Sequence, residues 1–308
     1  MAHTRQAPGP AVASMTSLVE WMRDPGGFFT ELARDYGDVV RFMGKPSEAF
    51  FINHPTYIEQ ILVDHNWNFV PVRTSAFNLA LRRAVPTSSG LLHQHQRQKV
   101  KPLLEPDHID RLAQMITSRA TRMQARWNDG DTIDILDEMM CLTVAIFVES
   151  LTGPVEQASD EELENAIAAT WYQATRSTHP ASVALDFVRA RAYNRRYWRA
   201  MRGLDAAIYE RIDRARKRPG GEGMLSSLLQ VMDGTGMTDR QLRDEMVAFY
   251  VANTNTGAEL AWIWYLLSQH PEVEAQLHDE LAETLSGATP TLSDLAGLSY
   301  LQQVMSET

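Results

Sequence analysis

From Met246 to the residue before Pro271 no proline interrupts the chain, and the stretches Met246–Tyr250 and Leu260–Leu267 are mostly apolar. A long buried helix is the simplest account of such a run. In its middle stands Val251-Ala-Asn-Thr-Asn-Thr-Gly-Ala-Glu-Leu260, a polar cluster inside an apolar element. On a helix, Ala252, Asn255, Thr256 and Glu259 share one face. A mid-helix threonine can return its hydroxyl to the carbonyl four residues earlier, here Thr256 to Ala252, and Gly257 weakens the helix beside it. The expected result is a local distortion that leaves backbone unpaired and makes a polar niche. The alternative is that these side chains satisfy one another or face water.

Strand signals are confined to the first part of the chain. Asp38–Met43 and Ala49–Asn53 are short β-rich runs separated by Gly44 and Pro46, which reads as a hairpin. Before them, Pro25 and Gly26-Gly27 open a helix through Phe28, Leu32 and Tyr36 that Gly37 stops. After them, Pro55 suits a first helical turn, with Ile58, Ile61 and Leu62 along one apolar face. Residues 65–90 read as a long loop with one helical turn near Phe77 to Leu81, and long loops in compact domains are often functional. From Leu91 onward helical periods dominate, broken at Asn128 to Asp131, Gly153-Pro154, Pro180, Pro219 to Gly221, Gly234 to Gly236, His270-Pro271 and Gly287 to Pro290. The expected fold is mainly α with a small N-terminal β-sheet. A length of 308 residues allows one large domain or two small ones; the reading adopted is a single domain, 1–308, in which 1–23 is an irregular leader.

Asp plus Glu total 39 against 29 Lys plus Arg, a net charge of -10 that argues against general affinity for nucleic acid or an anionic membrane. The single cysteine, Cys141, excludes an internal disulfide and suits a reducing cytoplasm. Its apolar helical surroundings, Ile133 to Leu151, predict a buried structural thiol. The N-terminus has no long apolar stretch, so neither a signal peptide nor a membrane anchor is expected, and the chain reads as cytoplasmic. One sector is basic: between Asp64 and Glu105 no acidic residue occurs, while Arg73, Arg82, Arg83, Arg97, Lys99 and Lys101 do. That sector is either a solvated face or a site for an anion or an acidic partner protein. Within it His93 and Arg97 stand at i, i+4, about 5–6 Å apart at Cβ on one helical face. A donor and the planar arginine fork placed so can hold one carboxylate.

Four segments occur in a fixed order: Gly90-Leu-Leu-His93-Gln-His-Gln-Arg97 followed by Pro102; Met237 to Met246; Ala252-Asn-Thr-Asn-Thr256 followed by Leu266, Leu267, His270-Pro271-Glu272 and Glu280-Leu281; and Asp294-Leu-x-x-Leu-x-Tyr300-Leu301 with Glu307-Thr308. In this order and spacing they resemble the cytochrome P450 family, the haem-thiolate monooxygenases, of the soluble bacterial type. The resemblance runs from about Asp24 to the last residue. It implies the family's helical fold and a haem b cofactor whose propionates His93 and Arg97 contact, with Ala252 a further cofactor contact. It implies an oxygen-activating site at Thr256 and Asn255, and a substrate pocket lined by Phe77, Leu79 and Val251. Glu307 corresponds to the structural glutamate of E-x-x-R. A ferredoxin-like or flavodoxin-like redox partner and a lipophilic small-molecule substrate are implied too.

The departures are specific. Asn253 stands for the family's glycine, Asn255 for its acid and Gly257 for a threonine. Asparagine positions water but cannot relay a proton by titrating, and Glu259, one turn on from Asn255, is the candidate substitute. The sequence stops at Thr308, so the arginine expected after Glu307 and the cysteine loop have no match. The proximal thiolate of such enzymes pushes electron density onto the iron. Cys141 is not expected to replace it. The chain is therefore expected to be the N-terminal portion of such an enzyme, a fragment lacking the haem-ligand region, with no metal ligand of its own and inactive alone. Three functions stay open: a haem-dependent monooxygenase; a haem enzyme of other chemistry, namely a dehydratase, isomerase or peroxygenase; and a haem-free helical interaction protein.

Overall fold

In a computed structural model of the chain, the residues described are 7–10, 20–21, 23–43, 48–70, 81–104, 106–153, 167, 180–217, 223–230 and 237–308. They group into two compact units, one of residues 1–71 with 174–195 and one of residues 72–173 with 196–308.

In the first unit, helix α1 (Pro25–Tyr36) begins where Asp24 accepts a hydrogen bond from the Gly27 N–H at 2.9 Å, and ends at Gly37, whose φ of 88° favours glycine. Strands β1 (Val39–Met43) and β2 (Ala49–Ile52) pair antiparallel, with Val39 opposite Ile52 and Val40 opposite Phe51. Phe29 stacks on Phe51 and meets Phe42 edge-on, which seats α1 on the hairpin. The expected hairpin is present; Gly44 and Pro46 lie outside the described residues. Helix α2 (Pro55–Glu59) starts at Pro55 as expected, then widens into a π turn over Gln60–Asp64. That turn breaks the 3.6-residue period, and Ile58 and Leu62, read as one apolar face, are exposed.

The second unit is helical: α3 (Gly90–Val100), α4 (Pro106–Gln124), α5 (Ile135–Thr152), α6 (Pro180–Lys217, whose residues 180–195 group with the first unit), α7 (Met224–Gln230), α8 (Asp239–Gln269), α9 (Pro271–Leu285) and α10 (Ser299–Glu307). The breaks fall where local chemistry dictates. Asp134 caps α5 through the N–H groups of Leu136 and Asp137, and Gly153 ends it at φ 78°. Thr238 and Gln241 cap α8 reciprocally. Pro271 opens α9, and Ser286 and Gly287 close it in left-handed conformations.

The core lies between α5 and α8. Met139, Met140, Thr143, Val144, Phe147, Val148 and Leu151 form one buried stripe of α5 at helical spacing. Cys141 falls off that stripe and is exposed, so the expectation of a buried structural thiol is corrected: the stretch is apolar in composition but packs on one side only.

Helix α8 runs unbroken for 31 residues, and the distortion expected at Thr256 is absent. The hydroxyl that turns back on the backbone is that of Thr254, donating to the Val251 carbonyl at 2.7 Å. Asn253 donates to the Thr143 carbonyl on α5 at 2.7 Å, and Gly257 lies against Met140. The polar cluster is thus divided: Asn253, Thr254 and Gly257 serve the α5 contact, and Ala252, Asn255, Thr256 and Glu259 are exposed together. A Cβ at position 257 would sit 2.6 Å from Met140 Sδ and 3.2 Å from Met140 Cα. Thr143 Oγ1 lies 2.9 Å from it as well, and since Met140 Cα is backbone, a side chain there must move the helices apart. Gly257→Val is expected to lose about 1–3 kcal/mol in urea unfolding, valine gaining little helix propensity in compensation; an unchanged midpoint would mean that α5 and α8 separate freely.

Candidate functional site

Helix α3 carries both of its expected site residues. His93 is half-buried, with Nδ1 3.1 Å from the Val85 carbonyl oxygen. A carbonyl only accepts, so Nδ1 donates and Nε2 is left without a partner among the described residues. One turn on, Arg97 is exposed, and its guanidinium has no partner among the described residues either. Gln96, between them in sequence, is buried and donates through Nε2 to the Arg83 carbonyl, a second tie from α3 to the segment before it.

That segment, residues 81–88, rests on charged residues of α8 that the sequence reading did not single out as a site. Arg243, Asp244 and Glu245 are all buried. Arg243 donates to Asp205 of α6 through Nε at 2.7 Å and to Asp244 through Nη1 at 3.0 Å. Arg82, at φ 51°, reaches Asp205 at 3.2 Å and lies 4.0 Å from Asp244, contacts that hold a non-glycine residue in a conformation it rarely adopts. Asp244 also accepts the Arg83 N–H at 3.3 Å. Glu245 accepts the Val85 N–H through both oxygens, at 3.1 and 3.2 Å. Burial pushes the Glu245 carboxyl up to about 7; the Val85 hydrogen bond opposes this and the neighbouring Asp244 charge adds to it. The available signal was three consecutive charged residues at the head of an apolar helix.

On α8, Ala252, Asn255 and Thr256 share the exposed face with Glu259, and Val251 is half-buried. Among the described residues the Thr256 hydroxyl makes no hydrogen bond. The structure therefore brings His93 with Arg97 on α3 and Ala252 with Asn255 and Thr256 on α8, and the turn Val85–Thr87 packs against both helices. Phe77 and Leu79 lie outside the described residues. Glu307 is exposed on α10.

Residues 6–308 match the family described as Cytochrome P450. This chain belongs to the cytochrome P450 family. Among its relatives, cyclooctat-9-en-7-ol 5-monooxygenase of Streptomyces melanosporofaciens is 30% identical over 99% of this chain and 67% of its own length. Pentalenene oxygenase of Streptomyces avermitilis is 28% identical over 98% of this chain and 68% of its own length. Cyclooctatin synthase, also of Streptomyces melanosporofaciens, is 28% identical over 92% of this chain and 63% of its own length. The chain thus spans about two thirds of the length of each of these three relatives. The P450 fold is shared with a retinoic-acid-bound cyanobacterial CYP120A1 and with the haem domain of cytochrome P450DA, each at a TM-score of 0.79 over 98% of this chain, at 16% and 18% identity. No helix among the described residues is long and apolar enough to cross a membrane.

Membership implies haem. The pair on α3 suits its anionic edge: a guanidinium and, a turn away, an imidazole whose Nε2 donates when the ring carries both protons, neither group's free end engaged by the described residues. The α8 face offers small and polar side chains. The one thiol of the chain, Cys141, is on α5, and α3 and α8 supply none.

Proposed function

We propose that the whole protein is a haem-dependent P450 monooxygenase that inserts one oxygen atom from O2 into a lipophilic small molecule, an alkene or alcohol such as its relatives' names carry. The observation that supports this most is that His93 Nε2 and the Arg97 guanidinium stand a turn apart on α3 with no partner among the described residues, in a chain that matches the family throughout. These two would hold the haem propionates, with Ala252 beside the ring. The haem supplies the redox chemistry. Thr256 and Asn255 hold water on the exposed face of α8, and Glu259 is the group there that can take up and release a proton. The family resemblance assigns Phe77, Leu79 and Val251 to the substrate side and a structural task to Glu307. Electrons come from a ferredoxin-like or flavodoxin-like protein, oriented by the basic residues Arg97, Lys99 and Lys101.

Residues 1–308 alone hold no cysteine at the place of the family's thiolate and are proposed to be inactive by themselves. The test is the reduced carbon monoxide difference spectrum of the 308-residue chain beside the product of the complete reading frame. A thiolate-type Soret band in the latter only is expected. Absence of haem from both would overturn the proposal in favour of a haem-free interaction protein. Asn255 at the acid position supports a second reading, a haem enzyme of non-monooxygenase chemistry, which turnover with peroxide and no reductant would favour.

A further inference from the structure

Glu245 stands apart from the ion network beside it. Arg82 and Arg243 engage Asp205 and Asp244, whereas the oxygens of Glu245, 2% exposed, accept only the backbone N–H of Val85 among the described residues. A carboxyl is costly to bury for one N–H. What that N–H controls is visible at the other end of the same residue. The Val85 carbonyl accepts from the Ser88 N–H at 3.3 Å, from the Ser88 hydroxyl at 3.1 Å and from His93 Nδ1 at 3.1 Å. Ser88 Oγ, 3.5 Å from His93 Nδ1, has its proton on that carbonyl and so does not donate to the ring, which leaves Nδ1 as the donor.

We propose that Glu245 is a positioning residue for His93: by holding the Val85 N–H it fixes the turn whose carbonyl takes the Nδ1 proton, so that the ring, when it carries its second proton, donates to an anion through Nε2–H beside Arg97. The anion is a haem propionate, and to that extent the inference rests on the function proposed above. The positioning itself is a property of the haem-free chain. Residues behind a liganding histidine that set its tautomer and ring orientation commonly act this way.

The experiment has two arms. In the 308-residue chain with 15N-labelled histidine, the imidazole signals of His93, assigned by their loss in His93→Gln, are expected to report the Nδ1–H tautomer of the neutral ring. Glu245→Gln, which still accepts from Val85, should keep that form and keep the Val85 amide protected from exchange. Glu245→Met should shift His93 toward the Nε2–H form usual in water and speed exchange at Val85 by about tenfold or more. If Glu245→Met does not fold, Glu245→Asp, one methylene too short to reach Val85, is expected to do the same. An unchanged His93 tautomer in whichever variant folds overturns the proposal. In the complete protein, haem release should quicken about tenfold or more in Glu245→Met and in His93→Gln, and no further in the double variant. Additive losses would overturn the proposal. Failure of every form to bind haem would overturn the proposed function and leave the tautomer result standing.

Discussion

Arg243→Leu is expected to destabilise the second unit by about 3–5 kcal/mol, read as a fall in the urea midpoint by circular dichroism. Arg243 is 1% exposed, and its guanidinium spans two carboxylates, Asp205 through Nε and Nη2 and Asp244 through Nη1. Without it, among the described residues, Asp205 and Asp244 face Arg82 at 3.2 and 4.0 Å, and the buried Asp244 keeps that distant cation and the Arg83 N–H. An uncompensated buried charge is what makes breaking such a pair costly, although an intact pair need contribute little net stability. Arg243→Lys should recover only part of the loss, because a point ammonium cannot span two acceptors in the plane of the fork. The exposed pairs further along α6, Arg214 with Glu210 and Lys217 with Asp213, mark the contrast. Arg214→Ala there should change stability by less than about 1 kcal/mol. A loss as small as that for Arg243→Leu would mean that water or protonation relieves Asp244.

What the sequence disclosed and what it concealed follow from the range of the interactions. Helix ends marked by proline and glycine were legible because their causes are local: Pro25, Gly37, Gly153, Pro271 and Gly287 act within a few residues of themselves, whereas the side-chain caps Asp24, Asp134 and Thr238 with Gln241 went unread. The i, i+4 pairing of His93 and Arg97 was legible for the same reason. The fate of the polar cluster in α8 was not, since both of its faces are polar and only the position of α5 decides between them. Asn253 meets Thr143 across 110 residues of sequence, and that contact, with Gly257 on Met140, turns Thr254 inward and leaves Thr256 outside. Cys141 was misjudged because composition averages over a helix that buries one stripe. The support of His93 was hidden for a further reason. It runs through the backbone of Val85, which no side-chain pattern encodes, to a glutamate 160 residues away.

That glutamate gives the second large effect, and its sign is unusual for an acid. Most carboxyls titrate lower in the folded state, so acid removes stability. Glu245 is raised from an ordinary value of 4.5 to about 7, so its folded form binds the proton more tightly than the unfolded chain does. Its contribution is fully present below about pH 4.5 and is lost as the pH rises through about 7. At about 1.4 kcal/mol per pH unit, the loss approaches about 3 kcal/mol by pH 8. Glu245→Gln has no proton to lose and accepts the same Val85 N–H. Urea midpoints of the two proteins should therefore coincide below about pH 4.5, separate progressively as the pH rises to about 7 and keep a constant gap above it, with the glutamine variant the more stable. The difference therefore reports this carboxyl together with its coupling to the neighbouring Asp244 charge. Parallel curves would place the Glu245 carboxyl at its ordinary value, solvated despite its burial. Separation would show that the turn beneath His93 is held at neutral pH by a carboxyl near its midpoint, whose protonated form still accepts from Val85 through its carbonyl oxygen.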